Sequence, residues 1–124
     1  MAFTENMQTR TYISGAAIAQ FTFVAGPASD GQIDPCGDGA RACGVALSAA
    51  TGAGQAVTVA YDGRVTVKAA GNITRGAAVA SDASGEAVAA GAGDVILGYA
   101  LEGGVDNQII TIELSRAETA VPTE

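Results

Sequence analysis

The sequence predicts an all-β fold: a small, single-domain β-sandwich or barrel built from an internally duplicated unit. The leading observation is that the chain repeats itself. Thr11-Tyr12-Ile13-Ser14-Gly15-Ala16-Ala17-Ile18 returns as Thr66-Val67-Lys68-Ala69-Ala70-Gly71-Asn72-Ile73 at an offset of 55. Gly44-Val45-Ala46-Leu47 returns as Gly98-Tyr99-Ala100-Leu101 at 54, and Val57-Thr58-Val59 as Ile110-Thr111-Ile112 at 53. Three blocks in one order with so little drift mean a duplicated supersecondary unit, since only two copies fit the length. The second observation is period-two alternation of β-branched and aromatic residues, and the third is glycine, 17 in 124 residues, scattered so that no helix runs far.

Taken in chain order, residues 1–10 read as an N-terminal arm, polar but carrying Phe3 and Met7, whose removal should leave the fold intact. Residues 11–116 form the duplicated domain, in halves of about 11–61 and 64–114. Gln20-Phe21-Thr22-Phe23-Val24 alternates and is expected as a strand. The stretch from Pro27 to Arg41 holds Pro, Gly and Asp and reads as a surface loop longer than a tight hairpin needs. A short strand follows within Ala42 to Leu47, then at most one helical turn near Ser48 to Thr51. Ala56 to Tyr61 and Arg64 to Lys68 are strands, and Asp62-Gly63 between them is a strong type I′ hairpin signal that should join the halves. Ala77 to Ala80 and Glu86 to Ala89 are strands turned by Asp82-Ala83-Ser84-Gly85, with further strands in Val95 to Leu101 and Gln108 to Leu114. Residues 117–124 form a short acidic tail.

Charge and composition exclude several classes of function. A formal net charge of −7 repels a phosphate backbone, so nucleic acid is not an expected partner. Apolar runs are too short to span a membrane, and the first residues lack the pattern of a signal peptide, which points to a soluble protein made in a host cytoplasm. No histidine is present, so Ser-His-Asp and Cys-His machinery is impossible, and a zinc site is nearly so with two cysteines. Cys36 and Cys43 could close a small disulfide, although a cytoplasmic origin favours free thiols. The single lysine, Lys68, follows Val67, so neither a phosphate loop nor Ser-x-x-Lys is formed. A biotinyl or lipoyl carrier would need its lysine at a hairpin tip, whereas Lys68 ends a strand. Asp30, Asp34 and Asp38 crowd one loop without the spacing of an EF-hand, and turn carboxylates are usually solvated or capping. The expectation is a protein without catalytic activity, cofactor or metal. Much of the apolar content is alanine, which offers little area per residue, so the core is thin and self-association is an expected source of further burial.

In order and spacing, Tyr12-Ile13-Ser14-Gly15-Ala16-Ala17-Ile18, Gly44-Val45-Ala46-Leu47, Val57-Thr58-Val59, Asp62-Gly63-Arg64-Val65, Ile73-Thr74-Arg75-Gly76, Gly98-Tyr99-Ala100-Leu101 and Ile110-Thr111-Ile112 resemble the phage capsid cement, or head decoration, proteins. The resemblance spans Tyr12 to Leu114. It implies a β-rich protein of the virion that binds the major capsid protein on the outer surface of an icosahedral head, usually as a homotrimer, and stabilises the head against internal DNA pressure. Within that reading the expected capsid contacts lie outside the repeat: Phe3, Met7 and Arg10 of the arm, and Asp34 and Arg41 of the loop. The alternative is another structural β-module, such as a tail or fibre accessory or a surface subunit.

Overall fold

The computed structural model describes residues 5–29 and 31–114, and they form nine strands with no helix among them. These are β1 (Glu5–Ser14), β2 (Phe23–Ser29), β3 (Gln32–Pro35), β4 (Gly44–Ala46), β5 (Ala56–Lys68), β6 (Ala78–Ser81), β7 (Ala87–Ala89), β8 (Gly98–Ala100) and β9 (Ile109–Leu114). Their order in the sheet is β1-β3-β2-β4-β5-β9-β8-β6-β7, and β1 also pairs with β5, which closes the first five strands into a barrel. The second half repeats the plan with β5-β9-β8-β6-β7. There the return of β7 to the end of β5 is reduced to one parallel bridge, Ala69↔Ala87.

The duplication read in the sequence is therefore a duplication of hydrogen-bond register. Tyr12↔Val57 of β1 and β5 has its counterpart in Val67↔Ile110 of β5 and β9. Phe23↔Val45 corresponds to Ala78↔Tyr99, and the bridge Ile18↔Ala50 to Ile73↔Gly104. Turn chemistry repeats as well. Gln55 Oε1 accepts from Thr51 N at 3.0 Å and Gln108 Oε1 from Val105 N at 3.1 Å, each after a residue at positive φ, Gly54 in one copy and Asn107 in the other. Asn is among the few side chains that adopt this region readily.

Alternation decides what each strand buries. Val24, Ala46, Val57 and Val59 point into the first barrel with Ile18 and Ile33, and their counterparts Val79, Ala100, Ile110 and Ile112 fill the second. Residues of opposite parity, Phe23, Val45 and Ala60, leave the first barrel outward and join the second barrel's cluster, forming a seam between the halves. Among the described residues four backbone bonds cross it: Phe23 N to Gly85 O (2.6 Å), Lys68 N to Phe21 O (2.9 Å), Gly39 N to Ser81 O (2.8 Å) and Val95 N to Gly39 O (3.0 Å). Gly85 is required there: its φ is +81°, and a Cβ would lie 2.6 Å from the Phe23 carbonyl oxygen.

The structure corrects the reading of Asp62-Gly63. No hairpin forms; β5 runs unbroken for 13 residues, and Asp62 pairs with Gln8 while Arg64 pairs with both Glu5 and Glu113. Gly63 has φ +99° and its N–H is held by Asp62 Oδ1 at 3.0 Å, but Asp62 has no positive φ, so the type I′ pair is incomplete. The residues bend the strand opposite the register shifts of β1 at Glu5/Gln8 and Gln8/Thr9. Strand partners on both sides outweigh the local turn preference.

Three further expectations change. The strand over Gln20 to Val24 starts only at Phe23, because Phe21 adopts φ +63° and donates its N–H to Ala46 O at 2.7 Å. The first part of the Pro27 to Arg41 loop is ladder: β2 extends to Ser29, β3 covers Gln32–Pro35, and Ser29↔Gln32 pairs across two intervening residues, the second being Gly31 at φ +70°. Ser48 to Thr51 is not helical; Ala50 bridges Ile18 instead. At the N-terminus the 10/11 boundary is no break, since β1 is continuous from Glu5 and Thr9, Arg10 and Thr11 pair successively with Ala60, Val59 and Thr58. The acidic tail, 117–124, lies outside the described residues.

Candidate functional site

Where the halves meet, the surface opens into a cleft of about 280 Å³. It is built from both copies: Arg10 and Tyr12 of β1, the segment 41–44 leading into β4, Tyr61 of β5, and Val95, Ile96, Leu97 and Leu114 of the second half. Phe23 of the seam joins Val95, Ile96, Leu97 and Leu114 in its apolar lining. The rim is cationic and aromatic. Arg10 lies over the Tyr61 ring, its Cζ 5.4 Å from the centroid, and the Tyr61 hydroxyl donates to Gln8 Oε1 at 3.0 Å. Gln8, Arg10 and Tyr12 fall on one face of β1 by alternation, which is why a strand presents all three to the same side. An arginine over an aromatic face is restrained at small entropic cost, and such rigid, amphipathic groups are the usual anchors of protein interfaces.

Of the five residues expected to make contacts, the fold brings two together. Arg10 and Arg41 are 31 positions apart and share the cleft. Asp34 goes elsewhere: it is half-buried on β3 and packs its carboxylate against Gly15. Met7 is on β1, but its side chain, like all of Phe3, falls outside the described atoms. Tyr12 and Tyr61 were not among the expected residues, although two of the chain's three tyrosines converge here. Their only sequence signal is a large amphipathic side chain near the end of an alternating strand.

The cleft also holds a thiol. Cys43 lines it half-buried, while Cys36 is wholly buried behind it with Sγ 3.5 Å from the carbonyl oxygens of Gly37 and Ala40. Both cysteines are free. Burial pushes both thiols above their ordinary value, and for Cys36 hydrogen bonds with Ser81 and Gly37 offset part of that effect. Both are therefore protonated at neutral pH and poor nucleophiles. Lys68 is paired, its Nζ 3.4 Å from a Glu86 carboxylate oxygen. Among the described residues no three His, Cys, Asp or Glu side chains converge as metal ligands. What the cleft offers is shape, apolar area and two guanidinium groups, the equipment of a binding surface.

Residues 4–114 match the family model described as phage cement protein. No curated protein matches the chain. Among solved structures, the head fiber gp8.5 N base of bacteriophage phi29 is similar, with a TM-score of 0.74 at 20% identity, over 91% of this chain and 98% of that one. At that identity the likeness is one of fold.

Proposed function

Because the chain belongs to the phage cement protein family, a component of the virion on the outer head surface, we propose that it binds the major capsid protein there as a trimer and stabilises the head against the pressure of packaged DNA. The observation that carries this reading is the family match over nearly the whole chain. The seam cleft supplies the contact, with Arg10 and Arg41 facing carboxylates of the capsid and the tyrosines packing against its backbone. On a chain of net charge −7 these two guanidinium groups mark the surface suited to an acidic partner. A trimer on a symmetric shell binds through three such contacts, and effective concentration makes individually weak contacts firm in combination. Function of this kind needs no catalytic group.

The test is co-sedimentation with expanded heads that lack the protein, followed by heating. The natural sequence is expected to saturate the heads and raise their melting temperature, and the Arg10→Glu, Arg41→Glu double variant to bind at least tenfold more weakly with an unchanged circular dichroism spectrum. Full decoration by that variant would remove the cleft from the contact, and failure of the natural sequence to bind heads would remove the cement role. A second reading, the base of a head appendage, is favoured by the likeness to the phi29 head fiber base. A particle reconstruction separates the two by whether density is spread over the lattice or confined to isolated projections.

A further inference from the structure

The duplicated register makes one surface of each half directly comparable with its counterpart, and the two are treated differently. In the first half, the outward row Phe23↔Val45↔Ala60 across β2, β4 and β5 is wholly buried, each residue 0% exposed, because the second half covers it. The same row in the second half is Ala78↔Tyr99↔Glu113, continued to Arg64. There Tyr99 is 45% exposed, and the next outward residue, Leu101, is 38% exposed where its counterpart Leu47 packs against the seam cluster. An equivalent comparison holds for the opposite surface. Lys68 donates its N–H to Phe21 across the seam, whereas its first-half counterpart, Ile13, donates its own N–H to Gly31 O within the first half at 2.7 Å and leaves a large apolar side chain 44% exposed.

We infer that the Tyr99 face of the second half is docked by the Ile13 side of the first half of a second copy of this chain, head to tail, so that a neighbouring chain covers the row whose counterpart is covered within one chain. The occupant follows from the duplication itself: the surface that covers this row in the first half is the related half of the same sequence. The replacements at the row suit contact between chains. A tyrosine stands at its centre, and Arg64 and Glu113, an ion pair at 3.9 Å with both side chains roughly half exposed, stand where Thr9 and Ala60 lie in the first half. Tyrosine and arginine are enriched at interface centres, and a polar margin keeps the free face soluble. A head-to-tail contact closes only as a ring, and three copies place six related halves around it. The inference rests on the self-association in the proposed function and names its surface.

Light scattering after size exclusion reads the outcome on the full chain. The natural sequence should run at three times 12.2 kDa. Tyr99→Glu and Ile13→Glu should each run as monomers with unchanged circular dichroism, and their equimolar mixture should recover a dimer, because one partner retains an intact Tyr99 face and the other an intact Ile13 side. Val105→Glu, at a position whose counterpart Thr51 is exposed and outside the seam, should keep the natural mass. If either single variant keeps the natural mass, the face is wrong while self-association stands. Recovery absent from the mixture would overturn the head-to-tail arrangement, and a monomeric natural sequence would overturn self-association itself.

Discussion

Burial at the level of single residues sets the chemistry of the two thiols. Cys36 and Cys43 are both pushed toward the protonated form, but only Cys43 borders the cleft. Iodoacetamide at pH 7 is expected to modify Cys43 slowly and Cys36 only after denaturation, which mass spectrometry of timed samples checks; equally fast modification of both would contradict their burial. The pH dependence has a definite sign. A thiol whose folded value is raised contributes stability that is complete below the unfolded value, about 8.5, and is lost as pH rises through the folded one. Glu102 acts in the other direction: desolvation would raise its carboxyl, but hydrogen bonds from the Thr111 backbone and hydroxyl prevail and lower it. Its contribution is present above about pH 4.3 and is lost in acid. None of this was legible beforehand, because the spacing of two cysteines in a chain says nothing of what covers them.

β5 is the element on which the molecule depends, since residues 56–60 complete the first barrel and 64–68 the second. Asp62-Gly63 separates a bend from a turn in a way substitution can read. In a type I′ turn both residues need positive φ, so Asp62→Val would be costly. In the observed strand only Gly63 does. Asp62→Val is therefore expected to cost less than about 1 kcal/mol, mainly the bond from Gly63 N, and Gly63→Val more than about 1 to 2 kcal/mol. Urea denaturation of the two variants decides it, and the reverse ranking would restore the turn. The strands themselves were largely visible in alternation, as β6, β7 and β9 show within a residue of expectation. β1 and β3 were not. The first sits in a polar segment and the second in a stretch of Pro, Gly and Asp, and both are strands because neighbours supply their ladders, β5 and β3 for β1, β2 and β1 for β3.

For the whole molecule, the shared seam couples the barrels. Phe23, Val45 and Ala60 belong to the first half by sequence and to the second barrel's cluster by contact. Heat unfolding is expected as one transition with calorimetric and van't Hoff enthalpies equal, and Phe23→Ala should lower stability by about 3 to 5 kcal/mol without splitting it. Two separated transitions in the natural protein would mean independent barrels. The candidate site likewise exists only in the assembled molecule. Arg10 and Arg41 were expected as separate contacts of an arm and a loop, and only the meeting of the halves places them on one rim with Tyr12 and Tyr61.

By itself the sequence determined the all-β class, the period of the duplication and the absence of histidine chemistry, because these follow from composition, alternation and order along the chain. The tertiary structure alone decided that the halves share one strand, that Asp62-Gly63 bends it, and which outward row is covered. The physical reason is that turn and strand preferences are worth about 1 kcal/mol each, whereas β5 gains ladders along both edges and a buried row only when both copies are assembled. Two nearly equal halves cannot be treated equally by one chain, and the surface left over on the second is legible only once the first is seen covered.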